Sequence, residues 1–307
     1  MNPTAPRGGK SATNGTRSRR GHSILSEMHH LCEAEGTPVD ALYDMHCHLG
    51  FAANSAQAGA IAAAAHIGAL SCTVTPEEFA ARGAAGGVGG GGADGGAGRC
   101  SGSPVTWALG LHPWYVAENW RPQVEAFEAL MPQVRAFGEV GLDFSARHQG
   151  SADAQMAAFH HLLQAIVARA RQSATPPMLS LHAVRSADAV LEALRKTGAL
   201  ENCQVVLHWF SGSGEELAAA RQAGCYFSVG PHMLASRRGR AYGAQIPLSK
   251  LLLETDEPPQ GAVLDGAAWR SQLEGALEQL ATLRRTDAAE LGATVAATSR
   301  QLLGLGR

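Results

Sequence analysis

Eight short apolar runs punctuate the sequence, at 43–48, 66–74, 105–112, 134–143, 177–184, 203–210, 225–230 and 251–256. Their length and β-branched content read as buried strands. Helical patterns lie between most of them. "ADAQMAAFHHLLQAIVARARQ" sets Met156, Phe159, Leu163, Ile166 and Val167 on one stripe. "SADAVLEALRKTG" and "EELAAARQAG" are amphipathic and stop at Gly, as C-capped helices do. Thr75-Pro76-Glu77-Glu78 reads as a capping box with proline at the first helical position. Strands alternating with helices pair in parallel. Eight such units over roughly 260 residues predict an α/β fold, a (β/α)8 TIM-type barrel of parallel strands. A doubly wound open sheet is the structural alternative.

The barrel is expected to span residues 41–307, behind an irregular extension at 1–40. Residues 1 to about 22 have a disordered composition, and 23–38 suit a short helix carrying His29 and His30 on its surface. The stretch 83–103, "GAAGGVGGGGADGGAGRCSGS", is too rich in glycine for regular structure. It reads as a surface loop insertion, since it lacks the lysine a P-loop needs. Residues 1–20 hold five basic side chains and no acid, so a net charge of −2 leaves −7 for the remainder. A body of that sign attracts neither duplex DNA nor an anionic membrane, and any phosphate handling has to be local. The six cysteines are scattered without a C-x-x-C, which indicates reduced thiols rather than a disulfide framework or zinc ribbon. No run of about 18 apolar residues predicts a membrane span. Arg19-Arg20 is not followed by the apolar segment of an export signal, so a cytoplasmic location is expected.

In such barrels the active site lies at the C-terminal ends of the strands. There the ionisable residues recur: His46 and His48 on the first run, His112 on the third, Glu139 and Asp143 on the fourth. His182 follows on the fifth, His208 on the sixth, and Glu254, Asp256 and Glu257 on the eighth. Residues two apart on a strand share a face, which brings His46 and His48 to one spot and turns Cys47 away. Imidazole and carboxylate form the ligand set of zinc, manganese and similar ions, and the number of ligands suits two divalent ions. We expect His46, His48 and Asp256 around one ion and His182 and His208 around the other. Glu139 bridges them, because none of Lys10, Lys196 and Lys250 stands at a strand exit to serve as a carbamylated bridge.

"DMHCHL", "GLHPW", "GEVGLD", "LHAVR", "HWFSG" and "ETDEPP", in that order, resemble the TatD family of metal-dependent hydrolases, over roughly residues 43–305. The resemblance implies a (β/α)8-type barrel, two divalent ions (Zn, Mn or Mg) and ester hydrolysis, with deoxyribonuclease activity in several members. It carries the ligand roles to His46, His48, Glu139, His182, His208 and Asp256. The chain departs from the pattern at Gly50, where many relatives have Asp, at Arg185, which follows its histidine at plus three, and in "ETDEPP". These departures bear on substrate fit.

The expected chemistry is hydrolysis by a metal-activated water, with Glu139 and Asp256 catalytic. His112 is a substrate contact able to donate to a phosphate oxygen, or a structural residue ahead of Pro113. Arg185 is positioned to bind an anionic group, and Asp143 to orient a ligand. A deoxyribonuclease acting on single strands or strand ends is the leading reading. The alternative is a hydrolase of a small ester, amide or aminoacyl substrate. A non-enzymatic metal-binding protein is opposed by the retention of every ligand type.

Overall fold

The computed structural model describes residues 41–84 and 103–305. The extension at 1–40, with its expected helix and His29 and His30, lies outside the described residues, as does most of the glycine-rich stretch. Eight strands run in chain order around one parallel sheet: β1 Leu42–Cys47, β2 Ile67–Cys72, β3 Val105–Gly110, β4 Ala136–Asp143, β5 Met178–Val184, β6 Gln204–His208, β7 Tyr226–Val229 and β8 Leu251–Leu253. The sheet curls into a nearly closed barrel rather than an open doubly wound layer. At the seam, Asp256 N donates to His46 O at 3.0 Å and His48 N donates to Glu257 O at 2.8 Å. The segment just past β8 thus completes the closure at the end where the polar residues gather.

Apolar side chains fill two layers. Tyr43, Met45, Leu70, Cys72, Ala108, Ala136, Met178, Val206 and Leu252 pack inside the barrel. A larger cluster, including Leu109, Phe137, Val140, Leu181 and Leu207, packs between strands and helices. This double burial explains why the strands read as continuous apolar runs rather than alternating ones.

Helix ends follow local sequence. The helix Ala187–Thr197 stops at Gly198, whose φ of 77° is left-handed. Ser213 and Glu216 form a capping box on Gly214–Gln222. At Pro76–Ala84 the box is shifted: Thr75 Oγ1 accepts from Glu78 N at 3.2 Å, but Glu78 Oε2 accepts from Val74 N. The expected stripe on Ala152–Ala170 is also corrected at one position. Phe159, Leu163, Ile166 and Val167 are buried, whereas Met156 is 37% exposed. Gln155 takes the inward place, and its Oε1 accepts from Asp143 N at 2.8 Å, tying the helix to β4.

Two irregularities in the sheet aim the polar residues. Asp44 pairs with Ala69 and Cys47 with Ser71, so two residues of β1 oppose one of β2. Gly138 pairs with Ser180 and Val140 with Leu181, which leaves Glu139 as an extra residue in β4. A bulge resets which side chains point inward. In β1 it follows inward Tyr43 and Met45 with inward His46 and His48, and Cys47 turns outward. In β4 it inserts Glu139 into the barrel interior, between Gly138 and Val140.

Candidate metal centre

The two oxygens of Glu139 divide the cluster. Oε1 lies 3.0 Å from His46 Nε2 and 3.1 Å from His48 Nε2. Asp256 Oδ1 completes that side, 3.1 Å from His48 Nε2 and 3.8 Å from His46 Nε2. Oε2 faces His182 Nδ1 at 3.4 Å, His112 Nε2 at 3.5 Å and His208 Nε2 at 3.8 Å. His182 Nδ1 and His208 Nε2 are 3.5 Å apart, and the His208 ring stacks on His46 at 3.8 Å. The structure therefore brings together all six residues singled out as ligands, and adds His112 at their edge. Arg185 stands exposed past the end of β5 and joins none of these contacts.

Outer partners fix the tautomers. The Cys72 carbonyl can only accept, so His48 Nδ1 donates to it at 3.1 Å and Nε2 faces the centre. Asp143 Oδ2 receives His182 Nε2 at 3.3 Å, which leaves His182 Nδ1 facing Glu139. His112 differs. Its Nδ1 accepts from Trp114 N at 3.1 Å, so the proton sits on Nε2 and His112 offers an N–H to the site rather than a lone pair. His46 Nδ1 meets Ser180 Oγ at 2.7 Å.

Two further carboxylates brace the cluster: Asp44, which the sequence did not single out, and Glu254, which the sequence placed at the eighth run without a role. Asp44 Oδ2 accepts from Thr255 Oγ1 at 2.5 Å and Trp269 Nε1 at 2.7 Å, and its Oδ1 from the Thr255 and His46 amides. It binds β1 to the turn that carries Asp256. Glu254 accepts from Ser228 Oγ and from Trp209 N, with Oε2 3.9 Å from His208 Nδ1. Gly50 also has a local account: Glu78 Oε1 fills the space a side chain there would enter.

Backbone strain concentrates here. Glu139, Arg185, Trp209 and Asp256 have φ of 54°, 54°, 37° and 60°, all left-handed and unusual for such residues. Gly141, at φ 151°, passes against the His182 carbonyl, where any Cβ would collide.

Burial opposes charge on these groups, and for four of them the neighbours outweigh it. For His48, hydrogen bonds to Asp256 and Glu139 outweigh burial and push the ring up to about 10. Asp143 and Glu139 likewise push His182 up to about 9. Against its burial, the imidazoles of His112, His208 and His46 hold Glu139 well below the usual carboxylate range. Against its burial, the hydrogen bond from His48 and the neighbouring imidazoles lower Asp256. Burial lowers His112 to about 3, which keeps it neutral.

These observations fit a cation. Glu139 Oε2 is buried without a hydrogen-bond partner, and His48 Nε2 and His182 Nδ1 face carboxylate oxygens. Nitrogen and oxygen acceptors facing one another need positive charge between them: protons, which the raised His48 and His182 rings carry in the metal-free chain, or divalent transition metals, which suit this donor set. Among the described residues, His46, His48, Glu139 and Asp256 form one group with metal-holding spacing; His112, Glu139 and His182 are as close to one another, but the proton on His112 Nε2 makes that ring a donor rather than a ligand.

Comparison with known proteins agrees with this geometry. The family model for TatD related DNase matches residues 43–304. The 3'-5' ssDNA/RNA exonuclease TatD of Edwardsiella piscicida is 35% identical over 212 residues, covering 65% of this chain and 78% of that protein. The mouse protein TATDN3 is 31% identical over 163 residues, which cover 50% of this chain and only 53% of its own length. The crystal structure of YJJV, a TatD homologue from Escherichia coli K12, superposes with a TM-score of 0.67 at 25% identity. That superposition covers 86% of this chain and 98% of YJJV.

Proposed function

Because the chain belongs to the family of TatD-related DNases, we propose that it is a metal-dependent nuclease hydrolysing phosphodiester bonds of single-stranded nucleic acid. The observation that carries this reading is the division of contacts at Glu139, with His46 and His48 on Oε1, Asp256 against His48, and His182 and His208 on Oε2. In this reading the first three would hold one divalent ion and the last two a second, with Glu139 shared between them. When bound, such ions act as Lewis acids on the phosphodiester and lower the pKa of a water toward neutrality.

The remaining roles fall to the chain's own groups. Asp256 is held ionised, and its side chain is 19% exposed, so it is available to orient and deprotonate the attacking water. His112, neutral with its proton on Nε2, donates to a non-bridging phosphate oxygen. Arg185, exposed at the rim, takes a neighbouring phosphate. Asp143 holds the His182 ring in register. The nucleic-acid substrate named for the Edwardsiella relative supports this reading over a small ester. No helix among the described residues is long and apolar enough to cross a membrane, and a cytoplasmic location belongs to the same reading.

The test is incubation of the full chain with end-labelled single-stranded DNA and Mn2+ or Mg2+. Release of nucleotides that stops on chelation, and is absent from His208→Ala, supports the assignment. Intact DNA under both metals contradicts it.

A further inference from the structure

Three aromatic side chains among the described residues are both large and exposed: Trp114 at 51%, Tyr115 at 47% and Trp209 at 39%. None is scattered. Trp114 and Tyr115 leave β3, and Trp209 leaves β6, on the rim that surrounds Glu139. The Trp114 indole and the Trp209 backbone are each tied to a carboxylate beneath. Trp114 Nε1 donates to Asp143 Oδ2 at 2.6 Å, the same oxygen that meets His182. The Trp209 amide donates to Glu254 Oε1 at 3.0 Å, and His208 is its chain neighbour. Each indole also carries a stacked imidazole. His148 lies against Trp114 at 4.9 Å and 11°, and His232 against Trp209 at 4.8 Å and 19°. His232 is fixed in turn by Glu257 Oε1 at 3.3 Å.

Exposing so much indole surface is unfavourable in water, and Trp209 does so from a φ of 37° that a bulky residue rarely adopts. Packing explains neither feature. A flat partner does. Two rigid ring stacks, leaving strands three apart in an eight-stranded barrel, frame the cluster. Stacking on aromatic side chains is how unpaired bases are held without sequence preference, and the faces of paired bases are not open to it.

We propose that Trp114 and Trp209 are base-stacking residues that hold nucleobases of a single-stranded substrate on either side of the phosphodiester over Glu139. The proposal rests on the nuclease reading and adds how the strand is gripped. An acidic body with few rim cations gains its hold on the strand through bases as well as phosphates, and duplex DNA is refused because its bases cannot reach the indoles.

The experiment compares two substrates of equal length with Mn2+ and the full chain: oligo(dT), and a strand of abasic tetrahydrofuran units. The parent should cleave oligo(dT) with a kcat/KM at least on the order of tenfold above the abasic strand. Trp114→Ala and Trp209→Ala should each lose on the order of tenfold on oligo(dT), mostly in KM, with little further loss on the abasic strand. Trp209→Phe, which keeps a stacking face, should recover most of the loss. A merely structural tryptophan would penalise both substrates equally. Equal penalties, or a parent indifferent to the bases, overturn the stacking proposal and leave the nuclease reading intact. A parent that cleaves neither strand overturns both.

Discussion

Glu139 and His46, 93 residues apart in the chain, meet at 3.0 Å in the barrel interior. The contact depends on a bulge in each of their strands, and it places the carboxylate where one oxygen serves each half of the cluster.

Glu139→Gln keeps the size of the side chain and removes its charge. We expect metal content to fall below that of the parent and hydrolysis to drop by more than about 100-fold, since even outer partners of metal ligands are worth 10–100-fold. Elemental analysis after gel filtration and initial rates on labelled DNA report the two effects. An unchanged metal content would remove the bridging role.

Asp143→Asn acts one step out. It weakens the hold on His182 Nε2 and on Trp114 Nε1 together. Manganese affinity should fall by roughly 10–100-fold with the fold intact. Competition against a chelating dye, with a thermal melt as control, measures it.

Asp44→Ala is a stability prediction. It strips acceptors from Thr255 Oγ1, Thr255 N and Trp269 Nε1, all buried. Each orphaned donor costs about 1–3 kcal/mol, and the losses overlap, so about 3 kcal/mol is expected in urea unfolding with chelator present. Trp269→Phe removes one donor and should cost less.

The strands and the residues of the polar cluster were legible in the sequence because both signals are local. A buried strand is an apolar run, and a histidine at its exit stands out against it. Seven of the eight runs overlap their strands to within a few residues, and the shortest, β8, ends before its polar tail. What period-two alternation could not supply was aim. Tyr43 and Met45 point inward, so an unbulged β1 would turn His46 and His48 outward, and Glu139 beside Gly138 gives no face at all. Those phases come from pairing with β2 and β5, which is long-range information. The roles of Asp44 and Glu254 were hidden for the same reason. Their partners Thr255, Trp269 and Ser228 are chosen by the closing of the barrel.

The thiols carry a pH prediction. Burial pushes Cys225 up to about 11 and Cys203 up to about 12, and raises Cys47 and Cys72 well above their ordinary value. A raised thiol pKa means the neutral form persists as pH rises. At pH 8 these four should resist iodoacetamide in the folded chain, and react once urea exposes them. Peptide mass spectrometry reads each site. Rapid labelling of Cys47 at pH 8 in the folded chain would contradict its outward, buried placement between the two ligand histidines.

The most direct measurement is the anomalous scattering of Mn2+ in crystals of the full chain. Two peaks are predicted, one among His46, His48 and Asp256 and one beside His182 and His208, with a Glu139 oxygen at each. A single peak, or manganese bound away from Glu139, would contradict the paired centre.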